Sequence, residues 1–403
     1  MVPKNEDGSD ITAEQLQSWK LLGDFRSLLA EIPASAAQKS TLNKGGPKRL
    51  LTEDDYLTSF LFAQFNPIID SMRGLCACSH FQKVQDEVCT RPMSLGSFSE
   101  AQSVFGFERL EALFTKLASE NIRQTRPNSN VPPGLLKSLR LVDSSVFYAL
   151  PRMSWAHWRK QGNREKPESA LRLHLSFSLL DEKPSNVHIS PAKLCERKGL
   201  KEIIKPDEFY VGDRYYGRDY HFLQELSEAG CSFLMRLYEG AKFTVLENLP
   251  ITQNDREAGV VSDQIVNLGA RERPDLEPVR VIRIEKPELD EPVILVTNQL
   301  SPEEMPAALL AGIYHQRWEI ELFFKWLKCI FGRRKQWHWF AESANGVNIQ
   351  LYCALIASLL LSRRLGKLPD KRTMEALKFH QMGMATSEEL ARILPKVAVK
   401  KPK

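Results

Sequence analysis

The chain has 403 residues, enough for two or three domains, and its 43% hydrophobic and 26% charged residues are typical of a soluble globular protein. Its seven cysteines have no framework spacing, which argues against a disulfide-stapled secreted protein and favours reduced thiols in a cytosol. The first residues are polar and acidic, unlike a signal peptide. The longest apolar run, Leu351 to Leu361, is too short to cross a bilayer and is predicted to be a buried helix. We therefore expect no membrane association.

Basic charge is concentrated towards the C-terminal end of the chain. The net charge is only +5, but residues 321 to 403 hold 16 Lys and Arg against 6 Asp and Glu. A nucleic-acid partner, if there is one, is expected to contact this basic end.

The first 125 residues are predicted to be mainly helical. Apolar residues recur at helical spacing in four segments, 11–29, 53–65, 67–88 and 99–119. Thr52 precedes three acidic residues, which is typical of a capped helix start.

One cysteine cluster in this region raises the question of a zinc site. Cys76, Cys78, His80 and Cys89 are close in sequence, and a structural zinc ion needs four convergent ligands. Two thiols two positions apart on a helix point about 200° apart, so they cannot face one metal. Buried thiols are the favoured interpretation.

After a linker at 128–133, the hydrophobic pattern changes to that of strands alternating with helices. Strands are predicted at 139–147, 170–179, 186–190, 208–213, 231–237 and 293–298, and helices run to about 204 and over 216–228. This order predicts an α/β fold with an RNase H-like catalytic core, a β-rich insertion, and flanking helical N- and C-terminal regions. The predicted boundaries are 1–125, 126–237, 238–292, 293–340 and 341–403.

The stretch from Tyr314 to Lys328 contains no Gly or Pro and is predicted to be one helix. On that helix, five side chains would fall within an arc of roughly 80°. They are one acid, Glu321, and its polar and basic neighbours Tyr314, Arg317, Lys325 and Lys328. An apolar stripe lies beside it, made of Ile313, Ile320, Phe324, Leu327 and Phe331. A solvated charged face with pairs such as Glu321 and Lys325 would explain the same pattern.

The spacing Tyr-x2-Arg-x3-Glu-x6-Lys in this stretch resembles the YREK signature of DDE transposases of the insertion-sequence-four family. Two further segments resemble that family's aspartate motifs: Val142-Asp143-Ser144 and Gly212-Asp213-Arg214-Tyr215-Tyr216-Gly217. Leu171 to His174, Arg236 and Leu295 to Asn298 follow in the family's order, and the resemblance covers roughly residues 95–365. Tyr-Tyr-Gly after Arg214 departs from the family's commoner Gly-Tyr.

Asp143 and Asp213 each follow an apolar run, so both are predicted to project from strand ends into a shared cleft. A lone aspartate at a strand end usually has a turn or capping role. Together with Glu321, however, the two would supply hard oxygen ligands for two Mg²⁺ ions, for which Mn²⁺ could substitute.

The resemblance implies a bacterial cut-and-paste transposase that works in the cytoplasm, associated with the nucleoid when bound to DNA. It implies double-stranded DNA partners, namely terminal inverted repeats and target DNA. The transposon ends would be cleaved through hairpin intermediates and joined to the target by a homodimer assembled in the DNA synapse. The N-terminal helical region would also bind DNA, and the C-terminal segment from Ile349 to Leu361 is a candidate pairing surface. DNA contacts are expected from Arg214, Tyr314, Arg317, Lys325, Lys328, Arg333, Arg334 and Lys335.

Several alternatives remain open from sequence. The chain could be an inactive transposase relative that binds DNA as a regulator, or an RNase H-like nuclease without strand transfer. Trp337 and Trp339 could stack on an unpaired base, although core packing is favoured for both. His174 is expected to be a packed strand histidine rather than a metal ligand.

Overall fold

The computed structural model describes residues 18–35, 50–66, 68–120, 131–150, 152–159, 168–269, 276–331, 339–365, 368, 370–382 and 384–393. Two compact units emerge from the pattern of contacts. A helical unit comprises Met1–Ile122, Phe147–Ala170 and Lys325–Lys403, and an α/β unit comprises Arg123–Val146 and Leu171–Phe324.

The helices in chain order are α1 Ser18–Ala30, α2 Glu53–Phe65, α3 Met72–Cys78, α4 Gln82–Glu87, α5 Leu95–Val104, α6 Glu108–Ser119, α7 Pro133–Ser138, α8 Glu196–Lys201, α9 Tyr220–Glu228, α10 Gln253–Glu257, α11 Ala307–His315, α12 Trp318–Phe331, α13 Ala344–Leu365, α14 Lys371–Gln381 and α15 Ser387–Ile393. The strands are β1 Leu139–Ala149, β2 His157–Arg159, β3 Glu168–Ser178, β4 Lys183–Pro191, β5 Phe209–Gly212, β6 Ser232–Leu237, β7 Phe243–Asn248, β8 Val260–Leu268, β9 Val279–Ile284 and β10 Val293–Thr297.

Helix α13 is the core of the helical unit. It is long and apolar enough to cross a membrane, but 83% of its most apolar window is buried inside the structure. It packs against α1, α2 and α6, and Tyr352 on it donates a 2.7 Å hydrogen bond to Glu111. The prediction of a buried helix here is confirmed. Ile349 and Leu361 are 0% and 1% exposed, so the prediction that this apolar segment forms a pairing surface is wrong.

The N-terminal helices match their predictions in part: α2 has the predicted bounds of 53–65, whereas two other segments are divided. Thr52 does cap α2, since its hydroxyl accepts a hydrogen bond from the Asp55 N–H at 3.2 Å. The segment predicted as one helix from 67 to 88 is broken between α3 and α4. Ser79 lies at that break, where its buried hydroxyl donates to the Cys76 carbonyl and accepts from the Met93 N–H, which competes with helical bonding. The segment 99–119 is likewise divided between α5 and α6.

The cysteines of the N-terminal region behave as apolar side chains. Cys76 and Cys89 are buried, as predicted, whereas Cys78 is only partly buried. Burial raises the pKa of all three thiols.

The α/β unit is built on a mixed sheet. Its strand order is β3-β1-β5-β6-β10-β9-β8-β7, with β4 paired to the other edge of β3. In the helical unit, β2 pairs with Glu168 and Ser169 at the start of β3. β1, β5 and β6 are mutually parallel, whereas β10 runs antiparallel to both β6 and β9. The β-rich stretch 238–292 therefore contributes β7, β8 and β9 to the same sheet.

One strand prediction and one helix prediction need correction. Asp143 does not lie at a strand end, because β1 continues past it to Ala149, although the recorded pairing with β5 stops at Leu141. The helix predicted over 216–228 begins as a 3₁₀ turn at Tyr216–Arg218, and Asp219 then caps α9 by accepting from the Phe222 N–H.

Candidate functional site

The register of two parallel strands brings the predicted aspartates together. The last recorded pair between β1 and β5 is Leu141 with Val211. Asp143 and Asp213 each lie two residues further along, Asp143 within β1 and Asp213 just past the end of β5. The charge of Asp213 acts on the Asp143 carboxyl, and neighbouring strands are about 4.8 Å apart. Each carboxylate accepts one local backbone hydrogen bond, Asp143 from the Ser144 N–H at 2.7 Å and Asp213 from the Tyr215 N–H at 2.8 Å.

Gly212 and Tyr216 pack together next to the two acids. A Cβ on Gly212 would lie 2.6 Å from the Met235 sulfur and 2.9 Å from the Tyr216 ring, so no larger residue fits between these side chains. Tyr216 is 1% exposed, and burial, with the negative charges of Asp143, Glu196 and Asp213, raises the pKa of its hydroxyl well above its ordinary value. Tyr216 is therefore a buried, uncharged side chain within electrostatic range of the acids.

The site holds more negative than positive charge. Burial raises the pKa of Asp143 from 3.8 to about 7; the Ser144 N–H opposes this shift, the charges of Asp213 and Glu196 add to it, and Arg317 opposes it. Burial also raises the pKa of Glu196, partly offset by Arg172. Carboxylates crowded in this way are stabilised by an added cation.

The stretch that carries the predicted YREK residues is two helices rather than one. Tyr314 lies in the last turn of α11, and Arg317 occupies the turn before α12, which carries Glu321. The junction is closed by short-range bonds, from the Arg317 N–H to the Tyr314 carbonyl at 3.0 Å and from the Ile320 N–H to the Arg317 carbonyl at 3.3 Å. These i to i−3 bonds are of 3₁₀ type, which residue propensities do not reveal. The prediction of one continuous helix is therefore wrong, although Arg317 still contacts both Tyr314 and Glu321, which the predicted arc brought together.

Arg317 is at the centre of this junction. Its Nη1 lies 2.5 Å from Glu321 Oε1, and its guanidinium carbon lies 5.9 Å from the centre of the Tyr314 ring. Burial raises the pKa of the Tyr314 hydroxyl, and the charges of Arg317 and Arg236 oppose that shift. Arg317 therefore interacts with Glu321 and Asp143, and Tyr314 also interacts with Arg236.

The apolar stripe beside these residues is confirmed. Ile313, Ile320, Phe324 and Leu327 are 0–5% exposed, whereas the Phe331 side chain lies outside the described part of the chain. Next to the junction, a cavity of about 760 Å³ is lined in part by Leu289, Tyr314, Arg317 and Trp318. Trp318 is 57% exposed, and the sequence analysis did not single it out.

The remaining predicted DNA contacts lie on different elements of the structure. Arg214 is about half exposed and lies 3.8 Å from Glu291, which also pairs with Arg236 at 3.2 Å. Lys325 and Lys328 are exposed on α12, and the Lys328 ammonium lies 5.1 Å from the centre of the Phe147 ring. Arg333, Arg334, Lys335 and Trp337 lie outside the described residues.

Two packing predictions hold. Trp339 is 8% exposed and donates a 2.9 Å hydrogen bond from its indole to the Tyr148 carbonyl. His174 is 1% exposed, lies 3.0 Å from the Ser190 hydroxyl, and has a pKa lowered by burial to about 3, so it is a neutral packed side chain.

Comparison with known proteins connects this site to a family. The profile of the transposase DDE domain matches residues 134–360, more than half of the chain and all of the strands and helices that hold the acids. The chain belongs to the transposase DDE domain family. A putative transposase y4zB of Sinorhizobium fredii is 26% identical over 270 residues, covering 66% of this chain and 69% of that protein. A probable transposase for insertion sequence element IS5377 of Geobacillus stearothermophilus is 26% identical over 274 residues, covering 68% and 67%.

Among solved structures, a cryo-EM structure of a piggyBac transposase synaptic complex with hairpin DNA aligns with a TM-score of 0.42 and 12% identity, covering 100% of this chain and 89% of that one.

Within this transposase domain, two charged residues near the acids had no predicted role, namely Arg172, in the segment Leu171 to His174, and Glu196. Arg172 on β3 donates a 2.9 Å hydrogen bond to the Ser144 hydroxyl and pairs with Glu196 at the start of α8. Gly199 lets α8 pack this closely, because a Cβ there would lie 2.1 Å from His174. No spacing rule links residue 196 to residues 143 or 213. The only sequence signal is an acid beginning a short helix after a strand.

The acids of the transposase domain fit a divalent cation in donor chemistry, but they are not arranged as a complete cage. Within the part of the chain that the structure describes, no group of three or more His, Cys, Asp or Glu side chains is placed to hold a metal ion. Asp143 and Asp213 interact with each other, whereas Glu321 is paired with Arg317. A complete site would need Glu321 to leave Arg317.

Proposed function

We propose that this transposase is a cut-and-paste enzyme of the YREK type, in which Asp143, Asp213 and Glu321 hold two Mg²⁺ or Mn²⁺ ions on an RNase H-like core. The observation that carries the proposal is the placement of Asp143 and Asp213 two residues beyond the last pair of the parallel strands β1 and β5, with the pKa of Asp143 raised to about 7. When bound, such ions activate a water or a 3′-hydroxyl and stabilise the leaving oxygen of a phosphodiester. The 26% identity of this chain to a probable transposase for an insertion sequence element supports a role in transposition.

The chain's own residues would perform the rest of the work. Asp143 and Asp213 would hold the cation, and the buried Tyr216 would keep an uncharged side chain near them. Arg317 and Tyr314 would hold the phosphate beside the scissile bond, and Arg214 and Lys328 would extend the contact along the strand. The exposed ring of Trp318, beside Tyr314 and Arg317, is suited to stacking on a base. Hairpin formation requires such phosphate contacts because the strand must bend sharply.

A DNA-binding regulator without activity is less well supported, because the site keeps all three acids. Removing each acid tests the choice. Asp143→Ala, Asp213→Ala and Glu321→Ala should each abolish Mg²⁺-dependent nicking of the terminal inverted repeats while binding of those repeats is retained. Arg283→Ala, which removes an exposed ion pair with Glu285, is the matched control and should cleave normally. Cleavage by any of the three acid variants at the wild-type rate would remove that residue from the site.

A further inference from the structure

Two consecutive residues at the start of α8 are each connected to one of the paired aspartates. Asp143 lies within β1, and Asp213 lies just past the end of β5. Glu196 pairs with Arg172, whose Nη1 donates to the Ser144 hydroxyl at 2.9 Å, and the Ser144 N–H donates to Asp143 Oδ1 at 2.7 Å. The Glu196 and Arg172 side chains are only 19% and 13% exposed. One continuous chain of hydrogen bonds therefore runs from α8 to the first aspartate.

Arg197 makes the corresponding connection to the second aspartate. Its Nη1 donates to the Tyr215 carbonyl at 2.7 Å, and its guanidinium lies 4.6 Å from the centre of the Tyr215 ring. Its Nε also pairs with Asp219 at 3.2 Å, which is the capping residue of α9. The Tyr215 N–H in turn donates to Asp213 Oδ1 at 2.8 Å. Arg197 thus fixes both ends of the turn after Asp213.

These contacts matter because the aspartates repel each other. Two neighbouring carboxylates gain by turning apart, so a shared cation requires side chains that are held together before it arrives. Within the described residues, neither aspartate accepts more than one hydrogen bond, and each of these bonds comes from a nearby backbone N–H. Further contacts to the neighbouring residues are therefore needed to hold the two side chains, and the first turn of α8 supplies one such connection to each.

We infer that the first turn of α8 positions both acids of the proposed metal site, with Glu196 acting through Arg172 and Ser144 on Asp143, and Arg197 acting through Tyr215 on Asp213. The inference rests on the proposed function, since it assigns residues that serve the same site. Glu196 and Arg197 are positioning residues in this scheme and contact neither metal nor DNA. Outer residues that orient metal ligands typically change metal affinity about 10- to 100-fold when removed.

The test measures Mn²⁺ binding to the DNA-free protein by the EPR signal of free Mn²⁺, alongside thermal unfolding and cleavage of transposon ends. Arg172→Gln and Arg197→Gln should weaken Mn²⁺ binding about 10-fold or more. Arg172→Lys should recover part of the loss, and Ser144→Ala should weaken binding without deleting a charge. Arg140→Gln is the matched control, because Arg140 lies on the same strand as Asp143 and pairs with Glu208 at 2.9 Å with similar burial. It should lower the unfolding temperature comparably and leave Mn²⁺ binding unchanged.

The outcomes separate the two levels of the proposal. If Asp143→Ala binds Mn²⁺ as tightly as the wild type, the proposed metal site is wrong, and its positioning with it. If Asp143→Ala loses Mn²⁺ but the Arg172 and Arg197 variants bind as Arg140→Gln does, only the positioning inference is overturned. If Glu196→Gln loses Mn²⁺ as completely as Asp143→Ala while Arg172→Gln does not, Glu196 is itself a ligand and the positioning chain is wrong.

Discussion

Arg317 Nη1 lies 2.5 Å from Glu321 Oε1, so the third predicted acid is paired with one of the predicted DNA contacts. The two side chains are 17% and 33% exposed, which places the pair at the edge of the site rather than in open solvent. Because the pair occupies Arg317 Nη1 and Glu321 Oε1, a phosphate at Arg317 and a metal at Glu321 would each weaken it. In the proposed mechanism, DNA binding and completion of the metal site are therefore coupled through this ion pair.

Removing Arg317 should make metal binding less dependent on DNA. In Arg317→Ala, Glu321 loses its competing cation, and the positive charge that opposes a metal near Asp143 is also removed. We expect the DNA-free variant to bind Mn²⁺ several-fold more tightly than the wild type, although its cleavage falls. Titration of Mn²⁺ with and without DNA checks this. Arg283→Ala is the control, and weaker metal binding by Arg317→Ala would contradict the coupling.

The paired aspartates should reduce the stability of the metal-free protein at high pH. Because the pKa of Asp143 is raised to about 7 in the folded state, the folded protein binds this proton more tightly than the unfolded chain. Stability is consequently lost as the pH rises from about 4 through 7. Asp143→Asn removes this cost, and it should be the more stable protein at pH 8 by a few kcal/mol, since each pKa unit is worth about 1.4 kcal/mol.

Chemical denaturation at several pH values tests this prediction. The stability difference between Asp143→Asn and the wild type should shrink towards pH 4. Mn²⁺ should stabilise the wild type and not the variant. A stability difference that is the same at pH 4 and pH 8 would show that the pKa of Asp143 is not raised in the folded state.

Much of the α/β unit follows from its sequence because its strands are short, apolar and separated by turn residues. The bounds of three strands, β5, β6 and β10, differ from the predicted ones by no more than one residue at each end. Asp143 and Asp213 were predicted for the same reason, since a polar residue after an apolar run is visible locally. The junction between α11 and α12 was not, because residues 314–328 contain no Gly or Pro and the break depends on tertiary packing.

The residues that support the acids were harder to predict than the acids. Arg172 lies in an alternating strand and Glu196 in a six-residue helix, and each alone is an ordinary charged residue. Their association depends on β3 lying beside β1 and on Gly199 admitting α8 against His174. Long-range contacts of this kind have no periodic signature in a single sequence.

One buried ion pair should dominate the stability of the β-rich part of the sheet. Arg280 on β9 is fully buried and makes two hydrogen bonds to Asp263 on β8, at 2.8 and 2.6 Å, and one to the Met305 carbonyl at 2.6 Å. Arg280→Met leaves Asp263 charged and unpaired, so it should cost about 3–5 kcal/mol of unfolding free energy.

The double variant Arg280→Met/Asp263→Leu is the informative comparison. It removes both charges, and it should recover most of the stability lost in Arg280→Met, because a buried pair can be replaced by apolar residues at little cost. Urea denaturation measures both. A double variant as unstable as Arg280→Met would show that the bond to the Met305 carbonyl, rather than the ion pair, holds this region.

The last prediction concerns assembly. One Asp143–Asp213–Glu321 set occurs per chain, whereas cut-and-paste excision must cut two DNA ends together, so we propose that two protomers each supply one active site. Free protein is expected to be a monomer and to form a dimer on two DNA ends, which mass photometry can follow. Mixing the wild type with Asp213→Ala gives a sharper result, since the variant should still bind ends. In an equal mixture of random dimers, roughly one quarter contain two active protomers. If excision needs two active protomers, its rate should therefore fall to roughly one quarter of the wild-type rate. A fall only to one half would show that each protomer cuts alone.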